Sequence, residues 1–390
     1  MKRLIGSSLV ILLLIALYLA ASRRQTTVVR AQLVTPASHP SNYQTNELSN
    51  YARADGPRPL TFPADHGPHN DFQTEWWYYT GNLQTSDGRH FGYQLTFFRR
   101  ALVPPSQRSD RPSAWAADQA YMAHFALTDV AGKRFQSFER FARGAAELAG
   151  AQADPFTVWL EDWSIVQTEP EVYHLRAAQN DVTLDLTLRD LKGPVLQGDR
   201  GYSQKGPERG NASYYYSLTR LDSSGTVRIG DAAYQVSGLS WMDHEFSTSY
   251  LTEGQIGWDW FALQLDDGSE LMLFQIRRAD GSVEPLASGT FVAPDGSTRW
   301  LKRDDLSIVA GSTWRSPHTG ATYPAAWRVQ IPSLDLTLDI RPYLADQELQ
   351  VSFRYWEGAV QLSGQRSGQA VRGSGYIEMT GYAGSMGGQF

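Results

Sequence analysis

The sequence has no cysteine. That excludes a disulfide framework, a thiolate nucleophile, a cysteine-bound zinc and a lipid-modified cysteine. A dense run of lysine and arginine is also missing, and the formal net charge is -6. Phosphate binding needs a clustered basic surface, so nucleic acid is excluded as a partner. There is no Gly-x-Ser-x-Gly elbow, no phosphate-cradling glycine loop and no dinucleotide fingerprint, which removes the usual routes to acyl transfer and nucleotide chemistry. Helical periodicity is scarce as well.

What is present is β-type sequence. Hydrophobic residues make up 42% of the 390, enough for a real core, and the length favours two domains. Tryptophan and tyrosine are abundant in short apolar stretches separated by Gly, Asp and Asn, the composition of antiparallel sheets. At the N-terminus, Lys2 and Arg3 precede an apolar stretch from Leu9 to Ala21, closed by Arg23 and Arg24. This pattern predicts a signal peptide or uncleaved anchor over residues 1–22, and an exported protein near a membrane: secreted, periplasmic or held at the outer face. Residues 23–59, rich in Ser, Thr, Asn and Pro, read as a flexible linker, and the glycines from Gly381 to Gly388 as a flexible tail.

Three echoes recur in the same order in both halves of the chain. Leu83-Gln84, Asp87-Gly88 and Arg99-Arg100 match Leu263-Gln264, Asp267-Gly268 and Arg277-Arg278, each pattern reading as a hairpin. Leu184–Leu188 and Leu334–Leu338 are identical and alternate with period two. Gly238–Asp243 is answered more faintly by Gly373–Glu378. Two related all-β domains follow, over 60–250 and 251–390. Closing each into a barrel removes exposed edges and leaves room for one small ligand.

Two clusters carry the chemistry: Glu75-Trp76-Trp77-Tyr78-Tyr79 and Trp241-Met242-Asp243-His244-Glu245. On a strand, Glu75, Trp77 and Tyr79 share one face, and Trp241, Asp243 and Glu245 share another opposite His244. A carboxyl group among aromatic rings is either paired or keeps its proton. Asp243 is the expected catalytic acid; the competing reading is a structural carboxylate. Glu75 is expected to place water or hold Asp243 protonated, or else to pair with Arg99 or Arg220. His244 reads as a proton carrier or a satisfied structural histidine. Tyr214, Tyr216, Trp258 and Trp260 recur at spacing two, so each pair lines a cavity or fills a core. His66 and His69 share a loop with Asp71, which imposes no common ligand face, so neither metal nor cofactor is expected.

These motifs together resemble the carotenoid 1,2-hydratase and AttH-like proteins, a lipocalin-like family often labelled predicted secreted hydrolases. The marks are His66-Gly67-Pro68, Glu75–Tyr78, Gly81-Asn82-Leu83, Ala123–Asp129, Ser213–Ser217, Gly238–Phe246, Gly257–Phe261 and Gly375–Tyr382. The resemblance implies two tandem lipocalin-like β-barrels with the chemistry in the first, and puts Asp243 at the place of the acid that protonates an isoprenoid double bond. Tyr214 and Tyr216 stand where the hydratases carry histidine and tryptophan. The expected function is a cofactor-free hydratase or isomerase, a hydro-lyase, taking an apolar isoprenoid or lipid into the first barrel. Asp243, Glu75, Tyr216 and His244 would do the chemistry, and Trp77, Tyr79, His124, Tyr214, Trp241, Trp258 and Trp260 would bind. A lipid carrier without turnover and a cell-envelope scaffold are the alternatives.

Overall fold

The alternating stretches fold as strands, and a computed structural model describes residues 50–108, 112–249 and 251–386. The expected export segment and the linker up to residue 49 lie outside the described residues. The first half contributes β1 (Thr74–Gln84), β2 (His90–Ala101), β3 (Gln119–Asp129), β4 (Arg134–Arg143), β5 (Ala149–Ala153), β6 (Phe156–Leu160) and β7 (Trp163–Glu169). It continues with β8 (Val172–Gln179), β9 (Val182–Asp190), β10 (Pro194–Leu196), β11 (Tyr202–Gln204), β12 (Ala212–Ile229) and β13 (Ala232–Ser247). The second half contributes β14 (Gln255–Leu265), β15 (Glu270–Arg278), β16 (Ser288–Val292), β17 (Thr298–Lys302), β18 (Ser307–Ala310), β19 (Thr313–Arg315) and β20 (Thr322–Pro324). It ends with β21 (Trp327–Ile331), β22 (Leu336–Pro342), β23 (Glu348–Gln350), β24 (Arg354–Arg366) and β25 (Gln369–Met379).

All pairing in both large sheets is antiparallel. The first sheet runs β4-β3-β2-β1-β13-β12-β9-β8-β7-β6-β5, and the second β17-β16-β15-β14-β25-β24-β22-β21-β18. The first nearly closes into a barrel and the second is a half-barrel, giving a two-domain lipocalin-like all-β fold. In each sheet the first strand of the half pairs with its last strand, and the echoes fall on corresponding strands: β1–β2 with β14–β15, β9 with β22, β13 with β25. The Leu334 echo is corrected in part. Leu334 ends a 3-10 turn and Asp335 takes φ 46°, so that strand begins only at Leu336.

Each concave face holds its own core. Trp77, Tyr79, Phe125, Trp163, Leu186 and Met242 fill the first barrel. Phe261, Trp327, Leu338, Trp356 and Ile377 fill the second sheet's curve. A third apolar cluster, with Tyr78, Tyr215, Trp241, Trp260, Phe274 and Tyr376, joins the convex faces of the two sheets. The expected ligand space inside the first barrel is therefore corrected: large side chains pack it, and a partly open cavity lies between the sheets instead. The linker is corrected over its last residues, because Tyr51 and Ala54 are buried, and Tyr51 and Tyr214 donate to the carbonyls of Ala101 and Gly56. The tail is corrected likewise, with Met386 buried and its backbone N–H bonded to the carbonyl of Ile256.

The strand register rests on glycines at close approaches. A Cβ on Gly238 of β13 would stand 2.1 Å from the carbonyl oxygen of Asn82, and one on its counterpart Gly373 of β25 would stand 2.0 Å from that of Gln264. Gly238→Ala is expected to lower the unfolding free energy by about 1–3 kcal/mol through this overlap. Urea unfolding checks it, and an unchanged midpoint would contradict the register.

Candidate functional site

Register decides which side chains meet. In β1 and β13, Tyr78 lies opposite Asp243 and Trp76 opposite Glu245, with no shift along the ladder. Thr96 and Ser217 extend the Asp243 row on either side, and Phe98 and Tyr215 extend the Glu245 row. All these side chains point out of the barrel. Facing them, Glu357, Glu378, Trp260 and Phe274 form one row across β24, β25, β14 and β15. Between the two faces is a cavity of about 120 Å³, closed further by Lys205, Leu251, Trp258, Ile276 and Tyr355.

Asp243 sits in this wall, 4% exposed. Tyr215 donates its hydroxyl to Oδ2 at 2.7 Å, while Ser217 and Trp241 Nε1 donate to Oδ1 at 2.5 and 2.7 Å. Trp260 Nε1 donates in turn to the Tyr215 oxygen at 3.0 Å, tying the second sheet to the acid's support. Burial pushes the Asp243 carboxyl up to about 7; the bonds from Ser217, Trp241 and Tyr215 oppose the rise, and Glu245 adds to it. Oδ1 accepts from two donors and Oδ2 from one, so Oδ2 is the oxygen with room for the proton. Glu245 differs from it. Lys205 Nζ lies 2.8 Å from Glu245 Oε1, and Ser213 also donates to that carboxylate.

The opposite face of the same strands carries a separate network. Glu75 is fully buried and accepts from Arg99 Nε at 2.8 Å, from the His69 backbone, and from ring nitrogens of His69 and His244 at 2.8 Å each. Burial alone would raise its carboxyl, but the Arg99 charge and the histidine bonds overcome that and hold it well below the usual range. Since Glu75 is ionised, His244 donates Nε2–H to it and presents Nδ1 to the Tyr216 hydroxyl at 3.1 Å. The Tyr216 oxygen then accepts from His66 Nδ1 at 2.7 Å, and burial holds the His66 ring neutral, pushed down to about 4. His69, Glu75 and His244 have the ligand types of a metal site. The Arg99 charge on Glu75 and the hydrogen bonds joining those same atoms fit a salt-bridge network better than a bound cation.

This geometry corrects several expected roles. Glu75, His244 and Tyr216 lie across the sheet from Asp243, so none of them can hold its proton or place water for it; for Glu75 the other expectation, a partner for Arg99, is the one the structure has. Trp77 stacks on His244 and donates to the His66 carbonyl within the barrel, where Tyr79 also lies. Tyr214 packs with Phe72 and Phe246 outside the cavity. His124 bonds Tyr355 and Glu139, bridging the sheets beside the cavity without lining it. Of the expected residues, Asp243, Trp258 and Trp260 line the cavity and Trp241 supports Asp243. Sequence reasoning missed Trp76, Tyr78, Tyr215, Ser217, Glu357 and Glu378. The alternation of β1 already set Trp76 and Tyr78 on the other face from Glu75, and Glu378 closes the echo of Asp243.

A family model for AttH-like proteins matches residues 53–382. The chain belongs to the AttH-like family. A crystal structure from Nitrosomonas europaea, described as an AttH protein, is 40% identical, covers 85% of this chain and 99% of its own, and superimposes with a TM-score of 0.75. Kievitone hydratase from Nectria haematococca shares the fold at 15% identity and a TM-score of 0.64, over 86% of this chain and 96% of its own. The dehydratase AsqC of Emericella nidulans is 24% identical over 221 residues, 53% of this chain and 60% of that relative's length. This AttH-like chain thus has a hydratase and a dehydratase among the proteins it is similar to.

Two outcomes test the two faces. Glu75→Gln leaves the Arg99 charge buried and unpaired, and is expected to cost about 3–5 kcal/mol in chemical denaturation at pH 7. For Asp243, the folded value of about 7 lies above the ordinary 3.8, so the folded state binds the extra proton between those values and stability falls as pH rises through that window. Asp243→Asn removes this component. Its unfolding free energy, relative to wild type, is expected to climb between those two pH values and level off above them; a pH-independent difference would contradict the burial of an uncompensated acid.

Proposed function

We propose that this AttH-like protein is a cofactor-free enzyme of the hydratase or dehydratase type, acting on an apolar small molecule held between its two sheets. The observation that carries this reading is Asp243: a buried carboxyl raised to about 7 in an aromatic wall, facing a partly open cavity between the sheets. Protonating a carbon–carbon double bond requires an acid that keeps its proton near neutral pH, and burial among rings supplies one. The faces of Trp76, Tyr78, Trp258 and Trp260 favour the positive charge that develops on carbon as the proton arrives. Water then forms the C–O bond and returns a proton to the Asp243 carboxylate, which regenerates the acid. The same groups serve the reverse elimination. An isoprenoid or related lipid suits such walls, and the N-terminal basic and apolar stretch supports export to a membrane-proximal compartment.

The test is incubation in ¹⁸O-water with lycopene, squalene and kievitone, followed by mass spectrometry of the products and tryptophan quenching for retention. Wild type is expected to add one labelled water to at least one probe. Asp243→Asn should lower that rate by about 10²–10⁴-fold while still retaining the probe. Equal loss of retention and turnover would remove the catalytic role, and retention without turnover in wild type would favour a carrier.

A further inference from the structure

Glu378 occupies in the second sheet the place that Asp243 occupies in the first. β13 and β25 are the last strands of their halves, and each pairs with the first strand of its half. Asp243 lies opposite Tyr78 of β1 and Glu378 opposite Trp260 of β14, with Trp76 and Trp258 two residues earlier on those strands. Gly238 and Gly373, five residues before each acid, make the same close approach to a neighbouring carbonyl. The cavity is walled by two copies of one sheet face, and each copy brings a carboxyl group.

The second copy differs in its support. Where Asp243 has Ser217 beside it on β12, Glu378 has a second acid, Glu357, beside it on β24. Glu357 is 1% exposed, and neither of its oxygens has a hydrogen-bond partner of proper geometry, although the Tyr78 and Tyr355 hydroxyls face it. The hydroxyl of Tyr78, which also lines the cavity, has no partner of proper geometry either. Lys205 is engaged by Glu245. Adjacent carboxyl groups without a counter-ion in apolar surroundings keep their protons. Burial and the neighbouring Glu378 push Glu357 well above its usual range, and burial pushes Glu378, which keeps some exposed surface, up to about 8. A buried carboxylic acid with no partner is a hydrogen-bond donor whose acceptor is still to come.

We infer that Glu357 and Glu378 form a seat for an oxygen atom of the ligand, so that the molecule taken up is an oxygenated isoprenoid-like compound bearing a hydroxyl or carbonyl and not a pure hydrocarbon. This rests on the reading that the cavity holds an apolar substrate, and adds to it where the one polar atom goes. The oxygen lies against the second sheet and the reacting carbons lie toward Asp243. A hydrocarbon would leave the Glu357 oxygens and the Tyr78 hydroxyl buried without a partner of proper geometry, and the seat discriminates against it for that reason.

The test compares farnesol with β-farnesene, two fifteen-carbon isoprenoids of which only the first carries a hydroxyl, by tryptophan quenching on the full chain at pH 6. Wild type should bind farnesol at least tenfold more tightly. Glu357→Leu and Glu378→Leu should each erase most of that preference while leaving β-farnesene binding unchanged, which also shows that the variants are folded. Glu357→Gln, which still donates, should preserve most of it. Equal affinity for the two probes in wild type, no binding of farnesol, or loss of both probes alike in the Leu variants would overturn the seat. Asp243→Asn should leave the preference intact, so loss of turnover there and loss of preference in the Glu variants report on separate claims.

Discussion

The site depends on one continuous ladder, the pairing of β1 with β13. Eleven residue pairs from Thr74–Ser247 to Gln84–Ser237 run without a bulge. Side chains alternate strictly across such a ladder, so a slip of one residue would bring His244 into the cavity and send Asp243 into the barrel. The close glycine contacts of Gly238 and Gly373 hold this register in both halves. The bulge near the site falls in β12, between Leu218 and Leu221, beyond the residues that support Asp243.

Holding that register separates two kinds of buried acid on the two faces of one strand pair. Inside the barrel mouth, Glu75 has Arg99, two histidines and a backbone N–H, and stays ionised as part of the architecture. Outside, Asp243, Glu357 and Glu378 meet aromatic rings and hydroxyls with no free cation among the lining residues, and burial favours their protonated forms. Only the second group keeps a proton, because an acid ionised beside arginine has none to give. The half-barrel has a matching role. It covers the convex face of the first sheet, buries Asp243 and contributes Trp260, Glu357 and Glu378. A first barrel alone would expose the same carboxyl to solvent and return it to ordinary behaviour.

Much of this was legible in the residues. The hairpin signals, the ordered echoes and the family motifs specified an all-β duplicated fold, and the alternation correctly set Asp243 opposite His244. The choice of face was the failure. β1 is buried on both sides, with an acid or a tyrosine among tryptophans on each, and alternation cannot say which side meets a core and which meets another sheet when neither faces water. That is why Glu75, Tyr216, Trp77 and Tyr79 were read as the cavity residues, although Tyr78, Tyr215 and Ser217 are the ones beside Asp243. Glu357 carries no local signal at all. Its meaning arises from Glu378 on the next strand and from the facing sheet, and both are long-range relations. The described parts of the linker and tail, residues 50–59 and 381–386, were misread because polar and glycine-rich composition also suits segments that dock by hydrogen bonds.

One strand pair thus keeps an ionised carboxylate on one face and a protonated acid on the other. Neutron diffraction from deuterium-exchanged crystals at pH 6 tests it most directly. Deuterium on Asp243, Glu357 and Glu378, with none on the Glu75 carboxylate and deuterons donated to it by Arg99 and His244, is the predicted result. A bare Asp243 carboxylate accepting three hydrogen bonds from Tyr215, Ser217 and Trp241 would contradict it and make this residue a structural anchor between the sheets.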